Sequence, residues 1–194
     1  MKTAKIGWIA GICLWPLILP FRGAENFDRE PINGWEFNGG AMAVSEASGR
    51  VLGCTGEGRG FWTIAPIRDF SLDFRFQPGG GWGEVSFCRG GEPPQNREYS
   101  LRMSTRDIFL TRRAEGAEKS LGRRTFTFTA KQWVAMTIVV CEGKITLSIE
   151  GKPVLASTDS KPLPAGTMAF GCRQGESISF DDIFLYPIGI PTGK

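Results

Sequence analysis

The stretch that decides the fold begins Trp133-Val134-Ala135-Met136-Thr137-Ile138-Val139-Val140-Cys141 and runs on to Pro187. An apolar run from Trp133 to Cys141 is closed by Glu142-Gly143-Lys144. Ile145, Leu147 and Ile149 then alternate with Thr146, Ser148 and Glu150, the period of a strand buried on one face. Glu150-Gly151-Lys152 is a second turn signal. Pro164-Ala165-Gly166 leads into Thr167–Arg173, and Ile178–Tyr186 follows. This cadence of short strands and tight turns predicts an antiparallel β-sandwich. The run Val134–Val140 is apolar at both parities and predicts a central strand covered on both sides.

The same alternation recurs upstream. Leu72, Phe74 and Phe76 alternate with Ser71, Asp73 and Arg75, and Val85 and Phe87 with Glu84, Ser86 and Cys88. Tyr99, Leu101 and Met103 alternate with Ser100, Arg102 and Ser104. Helical periodicity is almost absent after residue 24. Between Phe180 and Ile183 the apolar phase slips by one residue at Asp181-Asp182, which predicts a β-bulge. Asp181 and Asp182 are also the candidate ligands of a structural Ca2+, the one metal considered. No other cofactor is expected.

Of the 194 residues, 1–24 read as a signal peptide: Lys2 and Lys5, an apolar segment from Ile6 to Phe21, then Gly23-Ala24. An uncleaved anchor is the rival reading, opposed by Pro16, Pro20 and the shortness of the run. Residues 25–194 then form a single domain, secreted or periplasmic, monomeric and with no membrane span. The net charge of +3 comes from Lys2, Lys5 and Arg22, leaving 20 basic against 20 acidic residues. That balance argues against a nucleic-acid partner. Four cysteines remain, no two of them close in sequence, and the chain has no histidine, which argues against a zinc site and excludes a histidine-based triad in its usual form. Parity turns Cys54 and Cys172 inward and Cys88 outward, making Cys54–Cys172 the favoured pair if a disulfide forms.

Trp35, Gly49–Cys54, Asp69–Phe76, Gly83–Arg89 and Tyr99–Met103, with Trp133 and Phe180-Asp181-Asp182-Ile183 further on, carry a resemblance. Over about residues 33–188 the chain resembles the concanavalin A-like lectin/glucanase superfamily. Within it, laminin-G-like and 3-keto-disaccharide hydrolase-like domains are most similar. The resemblance implies an all-β jelly roll with a groove on a concave sheet. In the hydrolase-like group that sheet commonly carries Tyr-Glu-x-Gln; the matching stretch here is Tyr99-Ser100-Leu101-Arg102, without the carboxylate or the amide.

Parity places Glu84, Ser86, Glu98, Ser100 and Arg102 on the concave face. Trp62 and Trp82, each framed by glycines, are the candidate sugar-stacking rings. These seven residues are the candidate ligand-binding set, for a glycan or polysaccharide partner. No catalytic residue is assigned; an enzyme would use Glu84 and Glu98, the two carboxylates of the set, at the spacing glycoside hydrolysis requires. Three functions stay open: a non-catalytic carbohydrate-binding module, a hydrolase of the 3-keto-disaccharide type, and a laminin-G-like protein-binding module. Residues 97–124 carry eight basic against four acidic side chains, which fits either a groove for anionic polymers or a charged, aggregation-resistant edge.

Overall fold

A computed structural model describes residues 23–25, 27–28, 34–46, 49–92, 95–173 and 178–189. The expected signal segment up to residue 22 lies outside these. All regular elements among the described residues are strands: β1 (Gly23–Glu25), β2 (Trp35–Glu46), β3 (Gly49–Ile67), β4 (Phe70–Gln77), β5 (Trp82–Gly90), β6 (Arg97–Met103), β7 (Asp107–Ala114), β8 (Ala117–Thr125), β9 (Val134–Cys141), β10 (Lys144–Ile149), β11 (Lys152–Thr158), β12 (Gly166–Arg173) and β13 (Ile178–Pro187). The expected boundary after residue 24 falls inside β1, which pairs with β13.

Hydrogen-bonded neighbours run β11-β10-β9-β4-β13-β3-β12-β5-β6-β7-β8, every pairing antiparallel. The 19-residue β3 joins the two halves. Its first part pairs with β13 at Leu52–Cys54, and its later part pairs with β12 from Arg59 onward. β2 follows β3 along nearly its whole length. The far ends also meet: the Ser157 hydroxyl donates to the Leu121 carbonyl at 2.9 Å, tying β11 to β8.

The turns follow from local chemistry. Glu142-Gly143, Glu150-Gly151 and Glu115-Gly116 all have positive φ at both positions. That is the backbone of two-residue hairpins, whose twist matches the strands they join. β4 buries Phe70, Leu72, Phe74 and Phe76 and turns Ser71, Asp73, Arg75 and Gln77 outward. Between the two halves, Phe170 meets Phe74 edge-on at 5.9 Å and Phe180 at 5.4 Å. Burial of such rings is the main stabilising term.

Register shifts between Asp181 and Phe184, with Asp182 at φ 48°. This bulge keeps Ile178, Phe180, Ile183 and Leu185 all at zero exposure. Two expectations need correction. β9 is central in its row of strands, but Ala135 is exposed and Thr137 and Val139 are half-buried, so one face is covered rather than two. Cys88 is fully buried, not outward. It occupies a register shift between Phe87 and Gly90 with φ 52°, and that irregularity reverses its side.

Candidate functional site

Val85, Phe87, Tyr99, Leu101 and Met103 face the core, so the alternate residues of β5 and β6 face outward. Tyr99 is tied there by its hydroxyl, which donates to Asp159 at 2.7 Å and accepts from the Leu163 N–H at 3.0 Å. On the outward face, Glu84 lies opposite Arg102, Ser86 opposite Ser100, and Glu98 opposite Arg113. The expected polar set is therefore assembled on one face. It extends over β12 and β3 on one side and β7 on the other.

Glu84 is the hub. Its side chain is 3% exposed and sits among three guanidiniums. Arg59 donates to it at 2.9 Å and Arg173 at 2.7 Å, while the Ser100 hydroxyl donates to the other oxygen at 2.5 Å. Arg102 Nε stands 3.7 Å away. Burial opposes ionisation of Glu84, but Arg59, the Ser100 hydroxyl and Arg173 together outweigh it and hold the carboxyl below its usual range. Glu84 is thus a structural anion that sets arginine positions, a poor proton donor.

Arg59 and Arg173 were not in the expected set. Their partners are 25 and 89 residues away in sequence, and local alternation carries no such information. Arg59 reaches Glu84 by crossing Gly171 of β12. A Cβ there would lie 2.5 Å from the Gly58 carbonyl oxygen and 2.9 Å from Arg59 Cγ. The glycine frame around Arg59 in Gly58-Arg59-Gly60 was the available signal.

Glu98 is also buried, and it pairs with Arg89 at 3.2 Å and Arg113 at 3.9 Å. Four residues along β6 separate Glu98 from the position facing Glu84, a displacement of ~13 Å. With each carboxylate held by different arginines, Glu84 and Glu98 do not form the close pair that glycoside hydrolysis uses. Arg102 gives its forked end to Glu118, with both hydrogen bonds at 3.1 Å.

Aromatic rings flank the polar strip. Trp82 is half-buried and packs against Phe109 at 5.4 Å, and Arg123 lies over Phe109 at 4.8 Å. At the other side, Arg89 lies over Phe61 at 4.7 Å. Phe61, not Trp62, faces outward: Trp62 is 5% exposed and stacks on Trp35 at 5.5 Å with an 11° interplanar angle. Trp62 is therefore removed from the candidate set, because the parity of β3 assigns it to the core. From Phe61 on β3 to Phe109 on β7 is four strand spacings, about 19 Å.

Asp181 and Asp182 both pair with Arg75, at 2.5 and 2.8 Å. A guanidinium stands where a cation was considered, and among the described residues no cluster of three metal-ligating side chains occurs. Burial raises the Asp181 carboxyl, and the Asp182 backbone N–H and Arg75 only partly offset it. Two clefts lie away from the strip, one of ≈ 590 Å³ beside Arg97, Arg112 and Lys161 and one of ≈ 370 Å³ beside Met42 and Lys131.

No protein-family model and no curated protein matches the chain. Solved structures do. A Bacillus subtilis protein of unknown function with a galectin-like fold superposes with TM-score 0.74 at 13% identity, over 87% of this chain and 96% of its own. The carbohydrate-binding module CBM66 from Bacillus subtilis gives 0.63 at 12% identity, over 79% and 95%. Domain 4 of the arabinanase AbnA from Geobacillus stearothermophilus, solved with arabinotriose, gives 0.60 at 12% identity, over 87% and 92%. The fold is an antiparallel, galectin-like jelly roll of the kind these neighbours share. At these identities the likeness is one of fold.

Proposed function

We propose that this chain is a non-catalytic carbohydrate-binding module and that the outward face of β3, β12, β5, β6 and β7 is its glycan surface. The observation that carries the reading is the strip itself: Phe61 at one side, Trp82 with Phe109 at the other, and a hydrogen-bonded floor of Glu84, Ser100 and arginines between. Sugar rings present apolar planes to aromatic faces and hydroxyls to planar donors. The fold neighbours include a carbohydrate-binding module and an arabinanase domain solved with an arabinose oligomer, which is consistent.

The separation of Glu84 from Glu98 supports binding without hydrolysis. The protein-binding alternative is less well supported. Among the described residues the exposed large hydrophobics are Phe37 and Met42, both on β2 rather than on this face. We also propose that residues 1–24 direct export and that residues 25–194 act as a secreted or periplasmic monomer.

A glycan array probed with the purified protein, with and without calcium, tests the proposal. Binding that is weakened by Phe61→Ala and Trp82→Ala, with no reducing sugar released from the bound polymers, is the expected result. Release of reducing sugar that is lost in Glu84→Gln would replace the module by an enzyme.

A further inference from the structure

We infer that the strip selects glycans bearing an oxyanion, carboxylate or sulfate, and that Arg59 and Arg173 receive that group. This rests on the carbohydrate-binding reading above. Five arginines line the face around two buried carboxylates: Arg59, Arg102 and Arg173 about Glu84, and Arg89 and Arg113 about Glu98. Glu118 is engaged by Arg102 and Arg113, while Arg123 beside Phe109 is paired with Asp107. Within the cluster about Glu84 and Glu98, five arginines therefore face three carboxylates.

Depth sorts these charges. The Glu84 and Glu98 side chains are 3% and 7% exposed, whereas those of Arg59 and Arg173 are 24% and 34% exposed. An approaching ligand therefore meets guanidinium edges, with the compensating carboxylates beneath them. Arg59 gives only one nitrogen, Nη2, to Glu84, and Arg173 gives Nε and Nη2. The rest of each planar fork remains to donate, in the geometry that suits a carboxylate or sulfate.

A second observation points the same way. The Ser86 hydroxyl is buried on this strip and has no hydrogen-bond partner. Buried polar groups are nearly always satisfied, and a group bound at the strip, directly or through a water, would satisfy this one. The surplus of arginines over carboxylates in this cluster fits the same reading.

The test is isothermal titration of the full chain against polygalacturonate, dextran sulfate and neutral dextran. Polygalacturonate or dextran sulfate should bind at least tenfold more tightly than dextran, and the stronger of the two identifies the oxyanion. The double change Arg59→Gln, Arg173→Gln should remove that preference while Lys144→Gln, an exposed charge on β10 in the other half of the strand row, leaves it intact. The double change Arg59→Lys, Arg173→Lys keeps the charges that Glu84 needs for folding and should give an intermediate loss, because the planar fork is gone. Equal binding of neutral and charged polymers overturns the anion inference and leaves the glycan reading standing. Failure to bind any polymer, together with an empty glycan array, overturns the glycan reading itself. Equal weakening by Lys144→Gln reduces the preference to bulk charge and overturns the assigned site.

Discussion

Arg59 and Glu84 meet at 2.9 Å although β12 lies between their strands, and the contact exists because Gly171 has no side chain beneath it. Register places Gly171 opposite Arg59 on one side and opposite Glu84 on the other. The three residues form one row across three strands, and the middle member is defined by what it lacks.

Gly171→Ala should therefore displace Arg59. The added methyl conflicts with backbone at Gly58 as well as with the Arg59 stem, so the strand itself must shift. Overpacking of this kind costs roughly 1–3 kcal/mol. Urea denaturation should show the loss of stability, and glycan affinity should fall with it. An unchanged midpoint would mean that β12 and β3 sit further apart than described.

Glu84→Gln tests the hub. Removing the buried anion leaves Arg59, Arg102 and Arg173 facing one another with one fewer counter-charge. Breaking one partner of a buried ion pair costs about 3–5 kcal/mol, and the partial exposure of these arginines puts this case at or below the lower end. The pH dependence has a definite sign. A carboxyl held below its unfolded value stabilises the fold at any pH above that unfolded value, ~4.3 for Glu. The stabilisation is lost as pH falls through the depressed folded value. Stability measured as pH falls from neutrality to below the unfolded value of ~4.3 should drop more steeply for the native protein than for Glu84→Gln. Parallel acid limbs would show that Glu84 is not the group responsible.

The neighbours Phe61 and Trp62 separate binding from folding. Trp62→Ala empties a stacked core position beside Trp35 and should cost about 3–5 kcal/mol. Phe61→Ala removes an outward ring under Arg89 and should leave stability within about 1 kcal/mol while weakening glycan binding. Thermal melts and titrations on the two variants check the pair. A reversal of the two effects would place the wrong face in solvent.

Alternation made most of this molecule legible. In β4, β5, β6 and β10 every second residue was correctly assigned inward, because a strand with one wet face must sort its side chains by parity. It also located the bulge at Asp181-Asp182, where four apolar residues could not otherwise share a face. Cys88 escaped it because a bulge near the end of β5 resets the phase without an apolar slip to betray it. Trp62 was misplaced by an argument from glycine content, where the parity of β3 pointed inward. The arginine cluster was signalled only by the glycines around Arg59, since Arg59, Glu84 and Arg173 become neighbours only when β12 inserts between β3 and β5.

Cys54 and Cys172 show parity reasoning carried across strands. Both are buried free thiols, and Cys172 donates to the Gly56 carbonyl at 3.5 Å. The neighbouring Cys172 and burial push the Cys54 thiol up, whereas its nearness to Cys54 lowers Cys172. Cys172 is then the readier thiolate, the form that attacks a disulfide. On exposure to glutathione disulfide, Cys172 should form a mixed disulfide and Cys54 should displace glutathione from it, leaving a Cys54–Cys172 bond and two reduced glutathiones. Chain entropy gives about 4.7 kcal/mol for a loop on the order of 100 residues, an upper figure where the bond strains its surroundings. Mass spectrometry should find the chain lighter by two hydrogens, with a peptide linking Cys54 to Cys172 and with Cys88 and Cys141 still alkylatable. Denaturation should require more urea than for the reduced protein. Cys54 and Cys172 both still alkylatable after prolonged oxidation would show that the two sulfurs, though neighbours, cannot reach bonding geometry within this fold.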